Sequence, residues 1–199
     1  MPINERSIRV TNTMEQVGYF LQKGRMGTFV FLLLISTALL PVDFSQADKI
    51  TELQAQAEQG VAEAQHDLGL LYHEGRGVPQ DHRKAVTWFR KAANQGYAQA
   101  RFNLAVMYEH GRGVPQDYQE AAKWYHEAAD QGDAKAQFNL GSLYYEGQGV
   151  VQDYVQAHKW LSLAEGHFTG TDQVQAAQTR DMVEAQMAPA RIAEARERM

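Results

Sequence analysis

Three nearly identical phrases constrain this chain more than any other feature. "LYHEGRGVPQD" begins at Leu71, "MYEHGRGVPQD" at Met107 and "LYYEGQGVVQD" at Leu143, each 36 residues after the last. A fixed period of this length marks a chain built by stacking one small unit, since no unit can bury its apolar face alone. The paired glycines invite another reading, a loop that cradles phosphate. Such a loop follows a strand and closes on Lys-Ser or Lys-Thr, and this one does neither. The phrase is punctuation between helices.

The flanking segments carry helical periodicity. The first segment of each unit reads "AEAQHDLGLLYHE" from Ala62, "AQARFNLAVMYEH" from Ala98 and "AKAQFNLGSLYYE" from Ala134. Within the first copy, Ala64, Leu68, Leu71 and Tyr72 fall at i, i+4, i+7 and i+8, which is one face of an α-helix. Gly69, Ala105 and Gly141 share one register position. A small side chain there admits a close neighbour, and each glycine costs about 1 kcal/mol in helix propensity. The second segments read "HRKAVTWFRKAANQG", "YQEAAKWYHEAADQG" and "YVQAHKWLSLAEGHF". Ala85, Trp88, Phe89 and Ala92 make their apolar stripe. Trp88, Trp124 and Trp160 recur in register, and as large rings facing alanines they are expected in the core. Trp124 has a full unit on each side, whereas the pattern decays beyond Trp160. The expected consequence is that Trp124→Ala costs more stability than Trp160→Ala.

Between the segments, Gly75 or Gly77 is expected to take the left-handed conformation that ends the first helix. Pro79 stops helix propagation, and Asp81 is placed to cap the second helix with its carboxylate.

Composition narrows the function classes. The formal net charge is −5 and no Lys/Arg cluster occurs in the repeats, so the basic surface that nucleic acid requires is missing. The chain has no cysteine, which excludes disulfides, thiol nucleophiles, thiolate zinc sites and a lipoprotein anchor. No His-Glu-x-x-His, Gly-x-Ser-x-Gly or Ser-x-x-Lys occurs, so no catalytic residue is assigned. His66 and His73 stand two turns apart beside Glu74. Histidines on such positions are common, and no metal or cofactor is assigned.

The N-terminus reads as a separate piece. Lys23 and Arg25 precede an uncharged run from Thr28, "TFVFLLLISTALLPV", and Ser45 and Ala47 supply small residues at an exit site. Positive flank, short apolar core and small-x-Ala exit are the parts of a secretory signal. Residues 1–47 are therefore expected to be a signal peptide cut after Ala47, or otherwise an N-terminal membrane segment. Met14 offers an alternative start that keeps both basic residues. The mature domain is then 48–199: a half-repeat at 48–60, repeats at about 62–96, 98–132 and 134–168, and a cap at 169–199. The location is periplasmic or secreted after cleavage, with anchoring in the inner membrane as the alternative.

Taken together, Ala-x-x-x-Leu-Gly-x-x-Tyr-x-x-Gly-x-Gly-Val-x-x-Asp-x-x-x-Ala-x-x-Trp-Phe/Tyr-x-x-Ala-Ala-x-x-Gly resembles the Sel-1-like repeat, a relative of the tetratricopeptide repeat. Two copies fit from Ala64 to Gly96 and from Ala100 to Gly132. The third starts at Ala136, carries Val151 where the others have proline, and departs from the pattern at Glu165 to Phe168. The resemblance implies an all-α, right-handed α-solenoid of antiparallel helix pairs closed by a C-terminal cap, with eight to ten helices and no strands.

It also implies that the first helix of each pair lines a concave face that holds a protein or peptide. The positions so implied are His66, Asp67, Leu70 and His73 with Glu63 in the first copy. In the second they are Phe102, Asn103 and Val106 with Gln99 and Glu109, and in the third Phe138, Asn139, Ser142 and Tyr145 with Lys135. Phe102 and Phe138 beside Asn103 and Asn139 offer a partner an apolar shelf with amides, or else pack and bond within the array. If the amides face solvent, replacing them leaves stability nearly untouched. The function expected is an exported, monomeric protein-interaction scaffold that touches membrane only through an uncleaved leader. The alternative is an envelope-acting hydrolase of the penicillin-binding or β-lactamase-like type reported for some family members.

Overall fold

The computed structural model describes residues 44–197. The charged flank and apolar core of the leader lie outside them. The expected cut after Ala47 falls in the first turn of the first described helix. The helices from Gln46 onward belong to one compact unit.

Nine helices and no strand occur among the described residues: α1 (Phe44–Glu58), α2 (Ala62–Glu74), α3 (His82–Asn94), α4 (Ala98–His110), α5 (Tyr118–Ala129), α6 (Ala134–Glu146), α7 (Tyr154–His167), α8 (Gly170–Glu184) and α9 (Pro189–Glu197). The pairs α2–α3, α4–α5 and α6–α7 stack in chain order, and α8 and α9 both lie against α7. The fold is an all-α, right-handed solenoid of antiparallel helix pairs.

The repeated loop is a fixed piece of hydrogen bonding. Gly75, Gly111 and Gly147 end α2, α4 and α6 in the left-handed conformation, with φ of 74°, 66° and 71°. The N–H of each glycine and that of the residue after it fold back onto Leu71, Met107 or Leu143, satisfying carbonyls that the helix end leaves open. The recurring Gln-Asp closes the loop. Gln80, Gln116 and Gln152 donate to the carbonyls of His73, Glu109 and Tyr145 at 2.7–2.8 Å. Asp81, Asp117 and Asp153 then each accept from two backbone N–H groups of the following helix.

The second glycine has a different task. A Cβ on Gly113 would stand 2.4 Å from the backbone of His82, and one on Gly149 would stand 2.1 Å from the carbonyl oxygen of Tyr118. Each loop therefore sits directly on the start of the second helix of the unit before it. Within the first helices, glycine is required by a crossing side chain. A Cβ on Gly69 would meet the Phe89 ring at 2.6 Å, and one on Gly141 would meet Leu161 at 2.8 Å.

Two of the three tryptophans depart from expectation. Trp88 and Trp124 are only half-buried, and the deepest seats belong to the next register position: Phe89, Tyr125 and Leu161 are at most 1% exposed. Trp160 is 3% exposed. The physical reason lies on the outer flank of the second helices. Lys91 and Lys123 cover the rings of Trp88 and Trp124, but a lysine stem seals less than a ring does. Trp160 gains the His126 ring, edge-on at 5.4 Å. At the position equivalent to His126, Arg90 reaches away to the Tyr108 hydroxyl.

One carboxylate ties both helices of the C-terminal cap to α7. Glu184, at the end of α8, accepts from buried His158 of α7 at 2.7 Å and from Arg196 of α9 at 3.2 Å. Burial pushes the Glu184 pKa up, but the bonds from His158 and Arg196 outweigh it and hold the carboxyl below its ordinary 4.5. A depressed carboxylate pKa stabilises the fold above the ordinary value, and the contribution is lost as pH falls through the folded value. Acidification below 4.5 is expected to loosen α9 first, and Glu184→Gln to do the same at neutral pH. Hydrogen exchange along α9 reads both effects. Exchange in Glu184→Gln that matches the wild type at neutral pH would show that this carboxylate does not hold the cap.

Candidate functional site

Beyond Glu63, Gln99 and Lys135, the positions expected to line the first-helix face fall at four register positions. At the register of Asp67, Asn103 and Asn139, each side chain is tied to a buried ring. His66 is the first anchor. It is 8% exposed, and its Nδ1 lies 3.0 Å from the Asp67 carboxylate while its Nε2 lies 3.0 Å from the Asn103 amide nitrogen. The consistent tautomer carries its proton on Nδ1, donating to Asp67, and accepts at Nε2 from Asn103. Both ring nitrogens are thereby occupied, and the ring packs against Tyr97 and Phe89.

Tyr125 is the second anchor. Its side chain is fully buried, its hydroxyl donates to the Glu109 carboxylate, and it accepts from the Asn139 amide at 2.9 Å. Burial, first of all, and the neighbouring Glu109 carboxylate push the Tyr125 pKa far above its ordinary range. The phenol stays protonated and remains a donor.

The aromatic positions pack sideways. Phe102 meets Tyr125 at 5.8 Å between ring centroids, and Phe138 meets Phe168 at 6.4 Å. Both stay half-exposed. Leu70 is partly buried where the first and second units meet, and Val106 where the second and third meet. The Ser142 hydroxyl donates to the Phe138 carbonyl one turn back at 3.1 Å. At the loop end, Tyr145 stacks on Tyr154 at 5.9 Å and His73 on His82 at 5.1 Å.

The amides are thus committed on their nitrogen side within the array, and their oxygens are what remain for a partner. The expectation that replacing them leaves stability nearly untouched changes accordingly. The double variant Asn103→Ala/Asn139→Ala is expected to lose about 2 kcal/mol, about 1 for each hydrogen bond removed. Urea denaturation measures it, and an unchanged midpoint would show that the bonds contribute nothing.

A further set of residues went unread in the sequence. Gln65, Arg101 and Gln137 share one register position. Each donates to the carbonyl eight residues earlier, at Ala57, Ala93 and Ala129, at 3.0–3.1 Å. Each then reaches the far end of the second helix of its own unit: Gln65 accepts from Gln95, Arg101 pairs with Glu127 at 3.3 Å, and Gln137 meets His167. The signal was available, since a polar residue recurring every 36 positions inside an apolar stripe is being held there by a partner.

A family model described as Sel1 repeat matches residues 62–97, 98–133 and 134–165. The chain belongs to the Sel1 repeat family. Among solved structures, a Sel1 repeat protein from Oxalobacter formigenes is 38% identical with a TM-score of 0.58, covering 66% of this chain and 56% of that one. A protective antigen of uropathogenic Escherichia coli strains, displaying an SLR fold, is 29% identical with a TM-score of 0.54. That match covers 96% of this chain and 45% of the antigen. Among curated proteins, the ERAD-associated E3 ubiquitin-protein ligase component HRD3B of Arabidopsis thaliana is 51% identical over 41 residues. The matched stretch is 20% of this chain and 7% of the plant protein. The three repeats give this chain the stacked helical architecture of a Sel1 array. Among the described residues, no helix is long and apolar enough to cross a membrane.

Proposed function

We propose that this Sel1 chain is an exported, non-catalytic scaffold that holds an extended segment of a partner protein along the concave face made by α2, α4 and α6. The observation that carries this reading is the anchored row at Asp67, Asn103 and Asn139. One polar side chain per unit is fixed from beneath by His66 or Tyr125, so its outward oxygen is already oriented. Orienting a group before binding removes an ordering cost of about 0.5–1.5 kcal/mol per side chain. An extended backbone presents N–H donors at regular intervals, and a ladder of acceptors suits it. Leu70 and Val106, at one register position of the first two units, supply half-buried apolar surface beside the row.

The export part rests on the leader, with Lys23 and Arg25 before the apolar run and Ser45 and Ala47 at its end. Mass spectrometry of the mature protein is expected to find Asp48 at the N-terminus. Chemical crosslinking in the native envelope tests the binding part, comparing the wild type with Val106→Arg, which leaves every anchor in place. The expected result is a crosslinked partner captured by the wild type and lost in a variant that still folds. Equal capture by both would remove the assignment of this face.

A further inference from the structure

The first unit carries a feature that the scaffold reading does not use. His73, in the last turn of α2, and His82, at the start of α3, face one another with ring centroids 5.1 Å apart. The Nδ1 atom of each is enclosed and has no hydrogen-bond partner. The same place holds Tyr145 against Tyr154 in the third unit, and Glu109 and Tyr118 occupy it in the second. Among the described residues, only the first unit puts two imidazoles there.

A neutral imidazole keeps one nitrogen bare, so it tolerates an enclosed Nδ1 by holding its proton on Nε2. A protonated ring carries N–H on both nitrogens, and the enclosed one then has no acceptor. The charges around His73 do not offset this. His82 of α3 and Arg112 of the α4–α5 loop both oppose a positive charge on it, and Glu74 on its own helix is the one group that favours it. Glu74 is already paired with Arg76. Asp81, beside His82, is committed to the backbone N–H groups of Arg83 and Lys84. His82 is also where the next unit rests, since the Gly113 backbone sits against its carbonyl.

We propose that this histidine pair is a pH-operated contact between the first two units, closed while His73 is neutral and loosened when His73 takes a proton. Burial first, then His82 and Arg112, lower the His73 pKa from its ordinary 6.5. A histidine whose folded pKa is lowered contributes its full stability above the unfolded value and loses it as pH falls toward the folded one. The contact therefore weakens on passing from neutral pH into the range below 6.5. Its loosening releases the α2–α3 loop and the Arg112 loop seated on it, and leaves the units around Tyr145 and Tyr154 as they were.

Two measurements on the full chain test this. Proton NMR titration is expected to place His73 below 6.5, moving back toward that value in His82→Gln. Hydrogen exchange of the loops at 74–82 and 111–117 is compared between wild type and the double variant His73→Tyr/His82→Tyr, which installs the pair already present in the third unit. Exchange is expected to match at pH about 7.5 and to be about tenfold faster in the wild type at pH about 5.5, on the scale of one pH unit in a protonation equilibrium. His73 titrating at or above its ordinary value overturns the proposal. So does loop exchange that stays equal in the two proteins at both pH values.

Discussion

Gly149→Ala is expected to cost about 3 kcal/mol or more. Two penalties add. A left-handed backbone with a Cβ costs about 1–2 kcal/mol, and forcing an atom into packed surroundings costs about 1–3 kcal/mol more. At Gly149 φ is 69° and the added atom would stand 2.1 Å from the Tyr118 carbonyl oxygen, which belongs to backbone and cannot rotate away. Gly132→Ala is the control. Its φ is 86° and nothing lies within 4 Å of the added Cβ, so only the conformational penalty applies. Chemical denaturation of both variants separates packing from conformation. Equal midpoints would mean that the loop does not rest on the preceding unit.

Trp160→Ala is expected to lose more stability than Trp124→Ala, the reverse of what sequence position suggests. Truncating a buried tryptophan costs about 3–5 kcal/mol. Trp160 is 3% exposed, with His126 packed on its edge, and falls in that range. Trp124 is half-buried beneath a lysine and gives up less surface. Thermal or urea unfolding of the two variants decides the order, and a larger loss at Trp124 would show that exposure is a poor guide along this seam.

The difference between Trp124 and its neighbour Tyr125 shows where sequence reading stops. Consecutive residues on a helix point about 100° apart, so both fall within one apolar stripe. Which one goes deeper is set by the angle at which the next helix crosses, and no local pattern encodes that angle. The period, the helices, Gly75 at the helix end and Asp81 at the next helix start were legible because each follows from a few adjacent residues. Asn103 and Asn139 were ambiguous for the opposite reason. Their anchors, His66 and Tyr125, lie 37 and 14 residues away, and the direction of an amide depends on a ring the chain supplies only once stacked. Gln65, Arg101 and Gln137 were missed because their acceptors sit in the preceding turn, which is near only after the units meet.

The seat of each loop on its predecessor bears on how such a chain changes length. Gly113 rests on His82 and Gly149 on Tyr118, so the second unit brings both a foot for the unit before it and a step for the one after. A duplicated stretch of 36 residues inserted between the first and second units finds both backbone contacts waiting. Among the described residues the clasp of His158, Glu184 and Arg196 occurs once. Growth by duplication is therefore open between repeats, and the length of the array can drift while the clasped unit is held constant.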